Sequence, residues 1–262
     1  MAADTFDAAD TFLSLFSDLQ SSSAHAISIA ESKRRGLPRS SETLDLTYGD
    51  VSFEAMRRGL EATSPPAHGT FFDLGSGSGR AVIAAALLHE LSRCVGVEIL
   101  QDLHAKASAV ARRYDVAMRA ALPHHCSIEM RRGDLFDVKD LDSADIVFVC
   151  CVTWDSAIML RLAHKLASTL HAGAKVLTVG KPLPAAVTAP HAHVTVRYDE
   201  VWHGVADCEW GPEAMVVHEV VRVPSLDAVA STTPGTLSPT MATVDEHVAS
   251  VVIKRRWRCS VS

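Results

Sequence analysis

Apolar runs of two kinds take turns along this chain. Short unbroken runs read as strands buried on both faces, and longer runs with apolar residues three or four apart read as helices. The run Thr70-Phe71-Phe72-Asp73-Leu74 is apolar until its acid, as in a buried strand. Gly75-Ser76-Gly77-Ser78-Gly79 interrupts it, and an alanine-rich stretch over 80–91 predicts a helix. Cys94-Val95-Gly96-Val97-Glu98-Ile99 is a second buried strand that also carries an acid at its end. Downstream, the patterns predict a helix over 101–121, a strand over 127–132, a strand over 144–151 and a helix over 156–170. A strand over 175–179 follows, then two more over about 193–202 and 214–223. Upstream, Phe6, Phe12, Leu13, Phe16 and Leu19 predict a helix within 4–20 that lies on the main domain. A second helix is expected over 23–33, and Ser52 is placed to cap a third that runs to about residue 62.

Strands that alternate with helices and end in a β pair predict an α/β fold. The expectation is a doubly wound, mostly parallel sheet of seven strands over 46–223, with a helical N-terminal extension over 1–45. Past Pro224 the composition changes to serine, threonine and proline, which predicts a flexible linker and tail over 224–262.

The chemistry concentrates at the first two strand ends. Gly75, Gly77 and Gly79 let the backbone turn sharply beside a ligand, and the helix beginning at Arg80 aims its positive N-terminus there. Glu98 stands 19 residues past Gly79, where a carboxylate can accept both hydroxyl hydrogens of an adenosine ribose. A dinucleotide fold uses G-x-G-x-x-G, but this chain has G-x-G-x-G, with Asp73 two residues before the first glycine. A carboxylate there would repel a pyrophosphate and suits a cofactor with an amino group and a sulfonium, S-adenosylmethionine. The cofactor set expected from this unit is Asp73, Gly75, Ser76, Gly77, Gly79, Arg80 and Glu98. Asp134, after the third strand, is placed to accept from the adenine amino group, with Leu135 or Phe136 against the ring. The end of the fourth strand, Cys151-Val152-Thr153-Trp154-Asp155, should face the transferable methyl, which adds Cys151 to the cofactor set. Tyr48-Gly49-Asp50 precedes the first strand and reads either as a lid over the site, with Asp50 near the methionine amino group, or as a plain capped turn.

Composition narrows the classes. The hydrophobic share of 48% supports a buried core, and a net charge of −6 argues against a nucleic-acid binder acting through the whole surface. Six cysteines without a C-x-x-C pair fit reduced thiols in a reducing intracellular compartment. No metal site is expected, since His124-His125-Cys126 lacks zinc spacing. No apolar run reaches membrane length, and no membrane partner is expected. The basic tail Lys254-Arg255-Arg256-Trp257-Arg258 reads chiefly as a solvated charged end, with weak nucleic-acid contact as the sharper alternative.

Taken together, residues 46–223 resemble the Dot-one-type, non-SET histone lysine methyltransferases. The resemblance rests on Tyr48-Gly49-Asp50 before a helix, Asp73 to Gly79, Gly96-Val97-Glu98, Arg132-Gly133-Asp134, Gly180-Lys181-Pro182 and Glu209-Trp210. It implies a seven-strand, Rossmann-like methyltransferase that uses S-adenosylmethionine. It further implies a protein substrate, a histone or nucleosome, and a nuclear location in preference to a cytoplasmic one. Tyr48, Asp50 and Trp154 would line the lysine channel as the catalytic set. One departure bears on the acceptor: the family's Asn-Asn-Phe-Ala-Phe is Cys150-Cys151-Val152-Thr153-Trp154 here. A thiol offers weaker hydrogen bonds than an amide. A non-histone protein or small-molecule acceptor, or a non-catalytic binding module, therefore stays open as an alternative.

Overall fold

The computed structural model describes residues 7–34, 49–121, 125–189 and 194–224. Tyr48, the boundary at 45/46 and the basic tail lie outside the described residues.

The chain runs α1 (Ala8–Leu15), α2 (Ser21–Arg34), α3 (Phe53–Thr63), β1 (Thr70–Leu74), α4 (Arg80–Leu88), β2 (Arg93–Glu98) and α5 (Gln101–Ala121). It continues through β3 (Ser127–Arg132), β4 (Ile146–Cys150), α6 (Ser156–Thr169), β5 (Lys175–Val179), β6 (Ala186–Thr188), β7 (Val194–Cys208) and β8 (Gly211–Pro224). The strands form one sheet in the order β3-β2-β1-β4-β5-β8-β7-β6. The first five are parallel, and β8, β7 and β6 add antiparallel. The strand order reverses beside β1, so a crevice opens between the carboxyl ends of β1 and its neighbours.

Among the described residues the sheet has eight strands where seven were expected. The added one, β6, is three residues on the open edge and too short to leave a periodic pattern. The last two strands are also longer than expected, at 15 and 14 residues. A register shift between Glu200 and Trp202 changes the phase of β7 and hides its alternation from a sequence reading. The hairpin therefore extends until only Glu209 and Trp210 remain as its turn.

Successive strand residues feed opposite faces of the sheet. Phe71, Cys94, Ile146 and Leu177 pack with α1, α3, α4 and α5, while Phe72, Val95, Val147 and Val176 pack with α6. The N-terminal helices belong to the first of these layers. Asp7 caps α1 by accepting from the Ala9 and Asp10 N–H groups at 2.8 and 3.0 Å. Phe12, Leu15, Phe16 and Leu19 are buried in the same core as Val82 and Ile83 of α4.

Helix α2 docks differently, because it buries polar groups. Ser28 and Glu31 are both nearly inaccessible. The two Glu31 oxygens accept from the Gln101 and Asp102 N–H groups at 2.7 and 2.8 Å. A carboxylate from α2 thus satisfies orphan donors at the N-terminus of α5, where negative charge is favoured. Replacing Glu31 with Ala should lower unfolding free energy by about 1–2 kcal/mol, a typical loss for a helix cap. Urea denaturation followed by circular dichroism measures this, and a change within error would show that the cap carries no stability.

Candidate active site

The loop between β1 and α4 is built on positive backbone angles. Gly75, Gly77 and Gly79 have φ of 92°, 53° and 86°. At Gly79 a side chain is excluded twice, because its Cβ would also lie 2.7 Å from the Met130 methyl group. Glu98, at the end of β2, holds this loop from below. Its Oε2 accepts from the Gly77 N–H and its Oε1 from the Leu100 N–H, each at 2.7 Å.

Asp73 ends the neighbouring strand and is 2% exposed. Its carboxyl has no hydrogen-bond partner among the described residues. Burial, and then the nearby Glu98 charge, push its pKa well above the usual carboxylate range. Burial also raises Glu98, partly offset by its backbone donors. Ser76 Oγ, between them on the loop, is buried and likewise unpartnered.

Above these groups lies a cavity of about 480 Å³. Gly75, Ser76, Gly77 and Glu98 form its floor, and Gly133, Asp134 and Leu135 one wall. Phe148, Cys150, Val152, Thr153 and Trp154 form the wall at the end of β4. Gly49, Asp50 and Val51 close it from the turn before α3, Glu209 and Trp210 from the hairpin tip, and Ser22 and His25 from α2. Among the described residues no lysine or arginine lines it. Four lining carboxylates, Asp50, Glu98, Asp134 and Glu209, and the orphan Ser76 hydroxyl fit a cationic ligand that carries hydroxyls, and they oppose a phosphate.

The expected site residues thus fall into two groups. Asp50, Gly75, Ser76, Gly77, Glu98, Asp134, Leu135 and Trp154 line the cavity, whereas Asp73 does not line it but is buried next to the lining residues Phe148 and Glu98. Asp134 also caps a short turn, where its Oδ1 accepts from the Phe136 N–H at 2.9 Å. Gly79, Arg80 and Cys151 do not line it. Gly79 serves as the N-cap of α4. Arg80 turns away to Asp50 and α1. Cys151 points to the opposite side from the cavity, and its thiol faces the carbonyls of Val179 and Lys181 at 3.3 Å each. Cys150 lines the cavity in its place, since neighbouring residues at a strand end face opposite ways. Burial holds the Cys150 thiol far above its usual pKa, so it stays protonated.

The sequence shows Glu209-Trp210 as a motif without placing either residue in the site, and it gives no sign of Ser22 or His25, because α2 shows no apolar stripe to orient it. Trp154 is held by Lys181, whose Nζ donates to its carbonyl. Among the described residues no group of three or more potential ligands could hold a metal ion, and no helix is long and apolar enough to cross a membrane.

Residues 30–197 match the family model described as histone methylation protein DOT1. Two curated relatives are similar to half of this chain. One is the H3 lysine-79 specific histone-lysine N-methyltransferase of Caenorhabditis elegans, 26% identical over 136 residues. The other is its namesake in Drosophila melanogaster, 30% identical over 141 residues. The matches span only 14% and 7% of those relatives' own lengths. Among solved structures, the chain is similar to an RNA methyltransferase from Salinibacter ruber in complex with S-adenosyl-L-homocysteine. That match is 26% identical, with a TM-score of 0.46, over 72% of this chain and 99% of the other. An rRNA methyltransferase, aviRa of Streptomyces viridochromogenes, is 15% identical with a TM-score of 0.46, over 66% and 86%.

The buried acids give the ligand-free protein a pH dependence of known sign. A carboxyl whose pKa is raised by folding adds stability below its unfolded pKa of about 4, and that stability is lost as pH rises through the folded value. Stability from Asp73 and Glu98 should therefore fall as pH rises from the mildly acidic range upward. Asp73→Asn removes the larger of these costs and should raise the urea midpoint more at pH 8 than at pH 5. An equal shift at both values would contradict the burial argument.

Proposed function

This chain belongs to the DOT1 family of histone methylation proteins, and from that premise we propose that it is an S-adenosylmethionine-dependent protein-lysine methyltransferase whose acceptor is a histone within a nucleosome. The observation that carries the reading is a single cavity that joins the glycine loop and Glu98 to a wall bearing Trp154 and Trp210, with no lysine or arginine among its described lining residues. A nuclear site of action follows from that acceptor.

Bound in this cavity, S-adenosylmethionine would supply an electrophilic methyl group on a sulfonium. Asp73, Ser76 and Glu98 would hold its polar end, and Asp134 with Leu135 its adenine. Asp73 and Glu98 are ready for a cation, because each ionised carboxylate is costly while no positive charge is near. At the walls beyond β4 and at the hairpin tip, Val152, Trp154 and Trp210 offer apolar surface beside the Asp50 and Glu209 carboxylates. An amine attacks only when neutral, and apolar walls disfavour the ammonium form. Indole faces also steer a cationic centre on its way in. Burial holds the Cys150 thiol protonated, which makes it a poor nucleophile. The chain's contribution is alignment and desolvation, which can supply effective molarities of about 10⁵ M or more.

A second reading rests on Cys150, which puts a thiol on the reacting wall. With weaker hydrogen bonding there, the acceptor would be a protein other than a histone, or a small molecule.

Label transfer from radiolabelled S-adenosylmethionine to recombinant nucleosomes, compared with free histones and with a nuclease-treated extract, separates these readings. Incorporation into nucleosomal histone is expected. Incorporation only into other proteins, or only into material that passes a size filter, would favour the second reading, and none anywhere would remove both. Asp73→Asn should weaken cofactor binding by about 10²-fold, the usual cost of deleting one partner of a buried charge pair. Isothermal calorimetry measures that loss independently of the acceptor.

A further inference from the structure

Arg80 opens α4 directly after the glycine loop, a natural position for meeting an anionic group on a ligand. Its side chain turns elsewhere, into an ion pair with Asp50 that lacks hydrogen-bond geometry at Nε and one hydrogen bond from Nη2. Its Nε lies 2.8 Å from Asp50 Oδ2, and its Nη2 donates to the Leu19 carbonyl at 2.7 Å. Its guanidinium carbon sits 4.4 Å from the centre of the Phe16 ring and 5.6 Å from that of Phe12. The pair is shielded from water, with side chains 18% and 11% exposed. A planar cation that stacks on rings while its edges donate is a task for arginine and not for lysine.

Asp50 passes this anchorage onward. Its carbonyl accepts from the Glu209 N–H at 3.3 Å, and the Ser52 N–H donates to the Asp207 carbonyl at 3.0 Å. Between them Val51 bridges to Cys208. The Trp210 ring covers Gly49 so closely that a Cβ there would lie 2.0 Å from it. Direct contacts therefore run from α1 through Arg80 to the turn at 49–52, and from there to the hairpin tip. Asp50, Glu209 and Trp210 all line the cavity, although the segments involved are far apart in sequence.

We infer that Arg80 is a positioning residue through which helix α1 and the 16–19 segment after it hold the 49–52 turn and the Glu209–Trp210 tip against the acceptor side of the cavity. The word acceptor rests on the methyltransferase reading, and the anchorage itself does not. The N-terminal helices thereby act in acceptor binding without touching the acceptor. Cofactor affinity is largely spared, because the Arg80 side chain turns away from Asp73, Ser76 and Glu98 toward Asp50, Leu19 and the two phenylalanine rings.

Amide hydrogen exchange on the full chain without ligand tests the anchorage. Arg80→Ala should speed exchange at Ser52 and Glu209 by about ten-fold or more, with the β1 and β2 amides unchanged. Arg80→Lys, which keeps the charge but not the planar seat, should give an intermediate rate. Phe16→Leu, which removes the ring and keeps an apolar side chain, should loosen the same two segments. In turnover, the KM for the acceptor should rise about ten-fold in Arg80→Ala, while the calorimetric affinity for S-adenosylmethionine stays within about three-fold. Unchanged exchange at 49–52 and 207–210 in all three variants would overturn the inference. If Arg80→Ala loosens the whole molecule, Arg80→Lys and Phe16→Leu decide. Local loosening there supports the inference, and exchange like that of the unsubstituted chain overturns it. If the unsubstituted protein methylates nothing yet the exchange pattern holds, the proposed function fails and the anchorage stands.

Discussion

Two carboxyls are buried side by side where β1 and β2 end, and the rest of the site is arranged around that cost. Glu98 meets its share of the cost by taking two backbone N–H groups, and in doing so it shapes the glycine loop above it. Asp73 has no such partner among the described residues, and its own burial and its neighbour's charge keep it reluctant to ionise. An acid left in this state gains most from a ligand that brings positive charge. The fold is thus loaded for one sign of ligand before any ligand arrives, and strain of this kind at a site is commonly held in place by the surrounding packing.

That packing includes parts of the chain that a domain diagram would place outside. Helix α1 shares a core with α4, and α2 supplies both a cap for α5 and two residues of the cavity wall. The described N-terminal helices are therefore structural members of the site. Glu31 and Arg80 work in complementary ways here. The acid satisfies a helix start that would otherwise lack acceptors, and the base pairs with Asp50 of the turn and donates to the Leu19 carbonyl.

The two sides of the cavity also differ in kind. The Glu98 side follows directly from strand termini and a loop, which are rigid elements. The other side is assembled from the segment after β4 together with the 49–52 turn and a hairpin tip, the last two held to each other by backbone bonds, and it mixes Trp154 and Trp210 with the Asp50 and Glu209 carboxylates. Cys150 stands on that assembled side. Its protonated thiol is a small, weakly bonding surface, so shape and exclusion of water count for more there than hydrogen bonding.

Much of this was legible in the sequence, and for a definite reason. Strand and helix periods are local properties, so α5 over Gln101–Ala121, β3 over Ser127–Arg132 and β5 over Lys175–Val179 could be read with correct bounds. The acids at the ends of β1 and β2 were legible too, because a charge closing an apolar run is itself a local anomaly. Other features were decided only when distant segments met. Arg80 could be placed beside the loop, but that it turns to Leu19, Phe16 and Asp50 depends on a helix some sixty positions earlier. Whether Cys150 or Cys151 faces the cavity turns on one step of strand phase, and the bulge at Glu200/Trp202 erased the periodicity that would have revealed the full hairpin. The sequence by itself determined the alternating α/β order and the chemistry of the strand ends, since both are written in neighbouring residues. Tertiary structure alone decided which side chains share the cavity, because a contact between remote segments leaves no period in either one.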